Sequence, residues 1–80
     1  MKPLSSVLKE IKPRQKVMLR HNKQDYLYKI TVNNNLSGEG LWAIDYSPFD
    51  IVTNKFEGPY TGGYFPANQY DVVRISGRFV

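Results

Sequence analysis

Apolar residues recur at helical spacing near the start of the chain and predict a short helix over residues 4–11. They are Leu4, Val7, Leu8 and Ile11. Ser5 or Ser6 can cap the first turn, and Pro13 ends the helix because the residue before a proline avoids helical geometry. A helix this short is unstable alone in water, so we expect it to dock on a sheet.

Alternating apolar and polar positions then predict two strands that pair as a hairpin. They span residues 16–20 and 26–32, and the second shows the clearest alternation in the chain. The polar residues 21–25 between them suit a hairpin connection. Residues 33–40 follow as a loop, because glycine, asparagine and serine dominate them.

Three further strands are predicted in the second half of the chain, at residues 41–46, 49–53 and 70–75. Alternation places three residues of the first of these on one face: Trp42, Ile44 and Tyr46. In the closing strand we expect Val73 and Ile75 to point inwards.

Two turn-rich segments separate these strands. Ser47 and Pro48 predict a turn, and residues 55–68 are rich enough in glycine, proline and aromatic residues to predict a functional or self-packed loop. One helix and five short strands in 80 residues predict a single domain, residues 1–80, that is mostly β. Its expected architecture is a small five-stranded, strongly bent sheet or a small barrel.

The amino-acid composition indicates the cellular compartment in which the protein works. The chain has no cysteine, which favours a reducing environment over a disulfide-stapled secreted scaffold. No apolar run follows Met1, and no apolar stretch approaches the length of a membrane span. We therefore expect a cytoplasmic protein that makes no membrane contact.

Charge is unevenly distributed along the chain. Eight basic and two acidic residues give residues 1–29 a net charge of +6, while three basic and five acidic residues give residues 30–80 a net charge of −2. This asymmetry favours an acidic partner, which is either nucleic acid, a nucleotide or an acidic protein surface.

The residue types needed for catalysis are scarce. His21 is the single histidine, and the sequence contains neither a Gly-Xaa-Ser-Xaa-Gly elbow nor a phosphate-binding glycine loop. One histidine with scattered carboxylates does not supply a metal site. We therefore expect a non-catalytic protein with no catalytic residues, no metal site and no cofactor.

Basic and aromatic residues interleave along the first predicted hairpin: Arg20, Lys23, Tyr26, Tyr28 and Lys29. Because cations contact phosphates and exposed tyrosine rings stack on bases, this hairpin is a candidate nucleic-acid or nucleotide site. In the alternative interpretation, both tyrosines face the core and the cations form a solvated surface.

The stretch at residues 60–70 resembles the Src-homology-3 family. In that family a Gly-aromatic-Phe-Pro-Xaa-Asn-Tyr motif precedes the last strand, and four residues match it as they stand: Gly63, Phe65, Pro66 and Asn68. Here Gln69 is an additional residue before Tyr70, and the family's opening Ala-Leu-Tyr-Asp-Tyr run is missing. The resemblance implies a small barrel of that type, in which Pro66 and Tyr70 help to form a proline-peptide groove.

These features predict an interaction module that binds a protein partner, as a monomer or homodimer. The expected protein-binding residues are aromatic anchors: Trp42, Tyr60, Tyr64 and Phe65. In the alternative interpretation, Phe65 and Tyr70 are packed into the core. The outline of the chain also resembles small bacteriophage and mobile-element proteins, which implies an accessory or inhibitory role.

Overall fold

The structure, a computed structural model, describes residues 1–34 and 38–80 as one antiparallel sheet with a short helical segment on one face. Its elements, in chain order, are β1 Lys2–Pro3, α1 Leu4–Val7, a 3₁₀ turn Leu8–Glu10, β2 Lys16–His21, β3 Tyr26–Val32, β4 Gly40–Asp50, β5 Lys55–Phe56, β6 Tyr60–Pro66, a 3₁₀ turn Ala67–Gln69, β7 Tyr70–Ile75 and β8 Arg78–Phe79. Residues 35–37 of the predicted loop lie outside the described part.

The strand order is β1-β7-β2-β3-β4-β5, with β6 also paired to β4 and β8 paired to β7. The longer strands therefore follow one another as β7-β2-β3-β4-β6. The prediction of a mostly β fold with one short helix near the N-terminus is confirmed. Of the two predicted architectures the open sheet is the one observed, because the sheet does not close into a barrel.

Two predicted boundaries in the second half of the chain are wrong. β4 continues through Ser47 and Pro48 without a turn, so the predicted third strand and the first two residues of the predicted fourth strand form one strand. The rest of the predicted fourth strand, residues 51–53, is a turn. On the side of β4 that faces away from β3, Pro48 lies between the part that pairs with β6 and the part that pairs with β5. This is an edge position, where a proline is tolerated. The predicted loop at 55–68 contains β5 and β6, since pairing with β4 overrides its turn-rich composition.

A bulge in β4 reverses part of its side-chain alternation. The register between β3 and β4 shifts between Thr31 and Val32, which leaves Ile44 unpaired on β4. Trp42 therefore points away from the face that carries Tyr46: Trp42 is 46% exposed, whereas Tyr46 packs against the core. The prediction that Trp42, Ile44 and Tyr46 share one face is wrong.

A second bulge changes the residue that β7 buries. The register between β2 and β7 shifts between Met18 and Leu19, which leaves Val73 unpaired. Val72 is consequently buried and Val73 only half-buried, so the predicted inward position of Val73 is wrong. Ile75 packs against the core as expected.

The core lies between the helical segment and one face of the sheet, which we call the inner face; the opposite face is the outer face. Its buried residues are Leu4, Val7, Leu8, Ile11, Val17, Leu19, Ile30, Val32, Leu41, Ala43, Phe65, Ala67, Tyr70 and Val72. All four apolar residues of the predicted helix are among them.

The start of the helical segment differs from the prediction. Pro3 occupies the N-cap position and no side chain caps α1, while the Ser6 hydroxyl donates to the Pro3 carbonyl oxygen at 2.8 Å. Because β1 pairs with β7, the sheet itself fixes where the chain enters the helix. No helix in the described part of the chain has the length and apolar character needed to span a membrane.

Candidate functional site

The helical segment leaves part of the inner face open, and this part forms a pocket of about 290 Å³. Its lining is mostly aromatic: Tyr28, Tyr46, Pro48, Tyr60, Gly63, Tyr64, Phe65 and Tyr70. We call it the tyrosine pocket. Tyr28 lies at its centre, with ring centroids 5.4 Å from Phe65 and 5.6 Å from Tyr70 in edge-to-face contacts.

Gly63 shapes the wall of the tyrosine pocket. A Cβ atom on this residue would lie 2.9 Å from the Tyr46 ring and 3.3 Å from the Phe65 ring. Tyr46 can therefore lie directly over the β6 backbone, where its ring also contacts Tyr60 with a centroid separation of 5.4 Å. Only glycine leaves this space without displacing a ring.

Two phenol groups of the pocket, those of Tyr28 and Tyr70, have a raised pKa. Burial, with a smaller contribution from Tyr28, raises the pKa of Tyr70 to about 12. Burial also raises the pKa of Tyr28, and neighbouring Tyr46 and Glu57 add to that increase. Neutral hydroxyls both donate and accept hydrogen bonds, so the pocket offers apolar ring surfaces with polar ends.

A carboxylate lies at one side of the tyrosine pocket. The Tyr26 hydroxyl donates to Asp50 Oδ2 at 3.4 Å, and the Tyr26 ring is 6.1 Å from that of Tyr28. Backbone N–H groups of Thr53 and Val52 lower the pKa of Asp50, which is therefore charged at neutral pH. None of the residues that line the pocket within the described ranges carries a charged side chain.

A second concavity, on the outer face, has a volume of about 410 Å³ and crosses β7, β2, β3 and β4. We call it the basic groove. Its lining contains three cations and one carboxylate: Lys16, Val17, Met18, Lys29, Ile30, Thr31, Asp45, Ser47, Arg74 and Gly77.

The predicted protein-binding residues do not form one surface. Tyr60, Tyr64 and Phe65 border the tyrosine pocket, but Phe65 is only 3% exposed and belongs to the core. Trp42 stacks on Tyr64 with a ring separation of 4.7 Å and points to the outer face. Because residues 60–66 form a strand rather than a loop, their side chains are divided between the two faces.

The predicted nucleic-acid residues are also separated. Tyr26 and Tyr28 belong to the aromatic cluster of the inner face, whereas Lys29 lies in the basic groove. Arg20 forms an ion pair with Asp25 at 3.6 Å, and Lys23 lies in the connection between β2 and β3. Alternation along β3 thus places its tyrosines and Lys29 on opposite faces.

Several residues of the tyrosine pocket and the basic groove are not among the site residues that the sequence predicts. Tyr46 and Pro48 join the pocket because the β4 bulge turns them inwards, a change that depends on pairing with β3. Lys16 and Arg74 join Lys29 in the groove because β7 and β3 flank β2. The alternation of each single strand gave no signal for these cross-strand neighbours.

Comparisons with models of protein families, with curated proteins and with solved structures find no match for this chain. Within residues 1–34 and 38–80, no cluster of three or more histidine and acidic side chains is arranged to hold a metal ion. The tyrosine pocket and the basic groove are therefore the two candidate functional sites.

Proposed function

We propose that this chain is a non-catalytic interaction module whose tyrosine pocket binds an extended segment of a protein partner. The observation that carries the proposal is the convergence of tyrosine rings from β3, β4, β6 and β7 on one open pocket. Tyr60 lies at the edge of the pocket and is 46% exposed, so its ring is available to contact a partner. Exposed tyrosines supply large contact areas at protein interfaces.

The chemistry of the pocket favours an apolar residue, and proline in particular, as the inserted group. Aromatic walls pack well against a proline ring, and the segment's carbonyl groups can accept hydrogen bonds from phenol hydroxyls. The resemblance of residues 60–70 to the Src-homology-3 motif supports the same choice in part: of the two groove residues that it implies, Tyr70 lines the pocket and Pro66 does not.

Charge favours a basic residue beside that proline. Asp50 and Glu57 both raise the pKa of Tyr26, so two carboxylates act on this side of the pocket, where Lys55 of β5 lies opposite Asp50. A lysine or arginine of the partner would face these carboxylates, whereas a glutamate would be repelled. The segment we propose is therefore proline-containing and basic, unlike the acidic partner that the charge asymmetry of the sequence favours.

The test is a titration with a synthetic proline-rich peptide that carries one arginine, followed by amide chemical shifts. We expect the largest shifts at residues that line the tyrosine pocket. Tyr60→Ala should weaken binding at least fivefold, the loss typical of an interface anchor. Its melting temperature should stay close to that of the wild type, because the Tyr60 ring is already half exposed.

Phe79→Ala is the matched control, since it removes an exposed ring from the outer face. It should bind the peptide like the wild type. A second peptide, with glutamate in place of the arginine, should bind more weakly. Shifts that avoid the pocket, or equal affinities of Tyr60→Ala and wild type, would contradict the proposal.

A further inference from the structure

The cations of the basic groove come from both ends of the sequence. The pairing register places Met18 of β2 opposite both Arg74 of β7 and Lys29 of β3. Lys16, two residues before Met18 on β2, lies opposite Thr31 of β3. Strands are spaced about 4.8 Å apart, so the groove extends over roughly 14 Å across four strands.

These cations are available to a ligand. Within the described residues, no carboxylate lies at ion-pair distance from Lys16, Lys29 or Arg74. Lys16 Nζ donates to Thr31 Oγ1 at 2.6 Å, which leaves further N–H donors on the ammonium group. Three cations against the carboxylate of Asp45 give the lining a net charge of +2.

An exposed aromatic ring lies beside two of these cations. Lys29 Nζ is 5.4 Å from the Phe56 ring centroid, and the Arg74 guanidinium carbon is 4.1 Å from that of Phe79. Phe56 is 58% exposed and Phe79 is 73% exposed, so each ring can accept a further stacked group. The two rings lie at opposite sides of the groove, on β5 and β8.

We infer that the outer face binds single-stranded nucleic acid, with phosphates on the cations of the basic groove and bases stacked on Phe56 and Phe79. Cations alone would also suit an acidic peptide, but exposed rings beside cations are what stacking on bases requires. Asp45 and Ser47 add acceptors for the amino groups of bases. The net charge of +4 favours the approach of a polyanion.

The test uses a fluorescently labelled oligothymidine of about 12 nucleotides, in the size range that small β domains cover, with binding followed by anisotropy. Three phosphate contacts on a single strand predict a loss of affinity of roughly twentyfold between about 50 and 200 mM salt. Lys29→Ala should weaken binding and lower the salt slope by about 0.7, the contribution of one contact.

Phe56→Ala and Phe79→Ala separate stacking from charge. Each should weaken binding about fivefold or more, with the salt slope unchanged. Lys9→Ala is the control, because it removes one exposed positive charge from the 3₁₀ turn after α1, away from the groove. It should bind like the wild type, and all variants should keep the wild-type melting temperature.

Three results would overturn the inference. The first is the absence of oligothymidine binding at low salt, and the second is an equal effect of Lys9→Ala and Lys29→Ala, which would indicate general attraction only. The third is displacement of the oligothymidine by polyglutamate together with wild-type affinity of both phenylalanine variants. That result would identify an acidic protein as the occupant.

Discussion

At the scale of single residues, the tyrosine pocket depends on the absence of a side chain. Tyr46 lies over the backbone of Gly63, and its ring contacts both Tyr60 and Phe65. The position of the exposed Tyr60 ring is therefore linked through Tyr46 to the buried Phe65. A change at Gly63 would affect binding and stability together.

We expect Gly63→Ala to lower the free energy of unfolding by about 1–3 kcal/mol, the usual cost of forcing a methyl group into a filled space. The same variant should bind the proline-rich peptide more weakly, because the added Cβ displaces Tyr46. Urea denaturation and the peptide titration measure the two effects.

Gly38→Ala is the matched control, because an added Cβ there meets no atom within 4 Å. It should change stability by less than about 0.5 kcal/mol, as surface substitutions usually do. Equal stabilities of the two alanine variants would contradict the role assigned to Gly63.

At the scale of elements, the helical segment is too short to be stable by itself and forms because its apolar side chains are buried. Leu4 and Ile11, near its two ends, are 0% and 1% exposed. Together with Val7 and Leu8 they cover one part of the inner face and leave the tyrosine pocket open beside it. The segment thus closes the core and sets one boundary of the pocket.

Leu4→Ala should lower the free energy of unfolding by about 2–4 kcal/mol, because a fully buried leucine leaves a cavity that its neighbours fill only in part. Urea denaturation followed by circular dichroism measures the change. Lys9→Ala, in the exposed surface of the same segment, should stay within about 0.5 kcal/mol of the wild type. A loss below about 1 kcal/mol for Leu4→Ala would show that the segment is not an integral part of the core.

The sequence predicts best those elements whose pattern is local. β3 and β7 have the predicted bounds, since alternation and flanking turn residues define each strand without reference to its partner. The bulges at Ile44 and Val73 depend on the register of a neighbouring strand, and each of these residues follows another apolar residue, Ala43 or Val72, so the sequence does not show where the alternation shifts. β6 was missed because glycine and proline resemble loop composition even where a long partner strand supplies the hydrogen bonds.

The candidate sites follow the same rule. The aromatic residues of 60–70 could be singled out from composition, but their division between two faces required the strand assignment of β6. The excess of positive charge in residues 1–29 was visible in the sequence. The position of Arg74 beside these positive charges could not be predicted, because it follows from β7 lying beside β2.

At the scale of the whole molecule, one sheet presents two chemically different surfaces. The inner face offers neutral phenols with carboxylates nearby, and the outer face offers cations beside exposed rings. Alternate side chains of β3 and β4 serve the two surfaces in turn. If both proposals are correct, the protein can hold a peptide segment and a nucleic-acid strand at the same time.

We therefore expect the two ligands to bind independently. Saturating oligothymidine should leave the affinity for the proline-rich peptide unchanged within about twofold, because the two sites lie on opposite faces of the sheet and have no lining residue in common. Calorimetric titration of the peptide, with and without the oligonucleotide, measures this. Mutually exclusive binding would mean that the two ligands compete for one surface.

The bulge at Ile44 lies beside a residue of β6 that is also left out of the strand pairing. Ile44 lies level with Gly62 of β6, which has a φ of +69°. Bulges of this kind bend and twist the strands that carry them. Loss of both residues together would keep every inward-pointing side chain inward and would flatten the sheet at that level. A related protein that lacks both residues would thus have a pocket of different width. Its core would be packed in the same way.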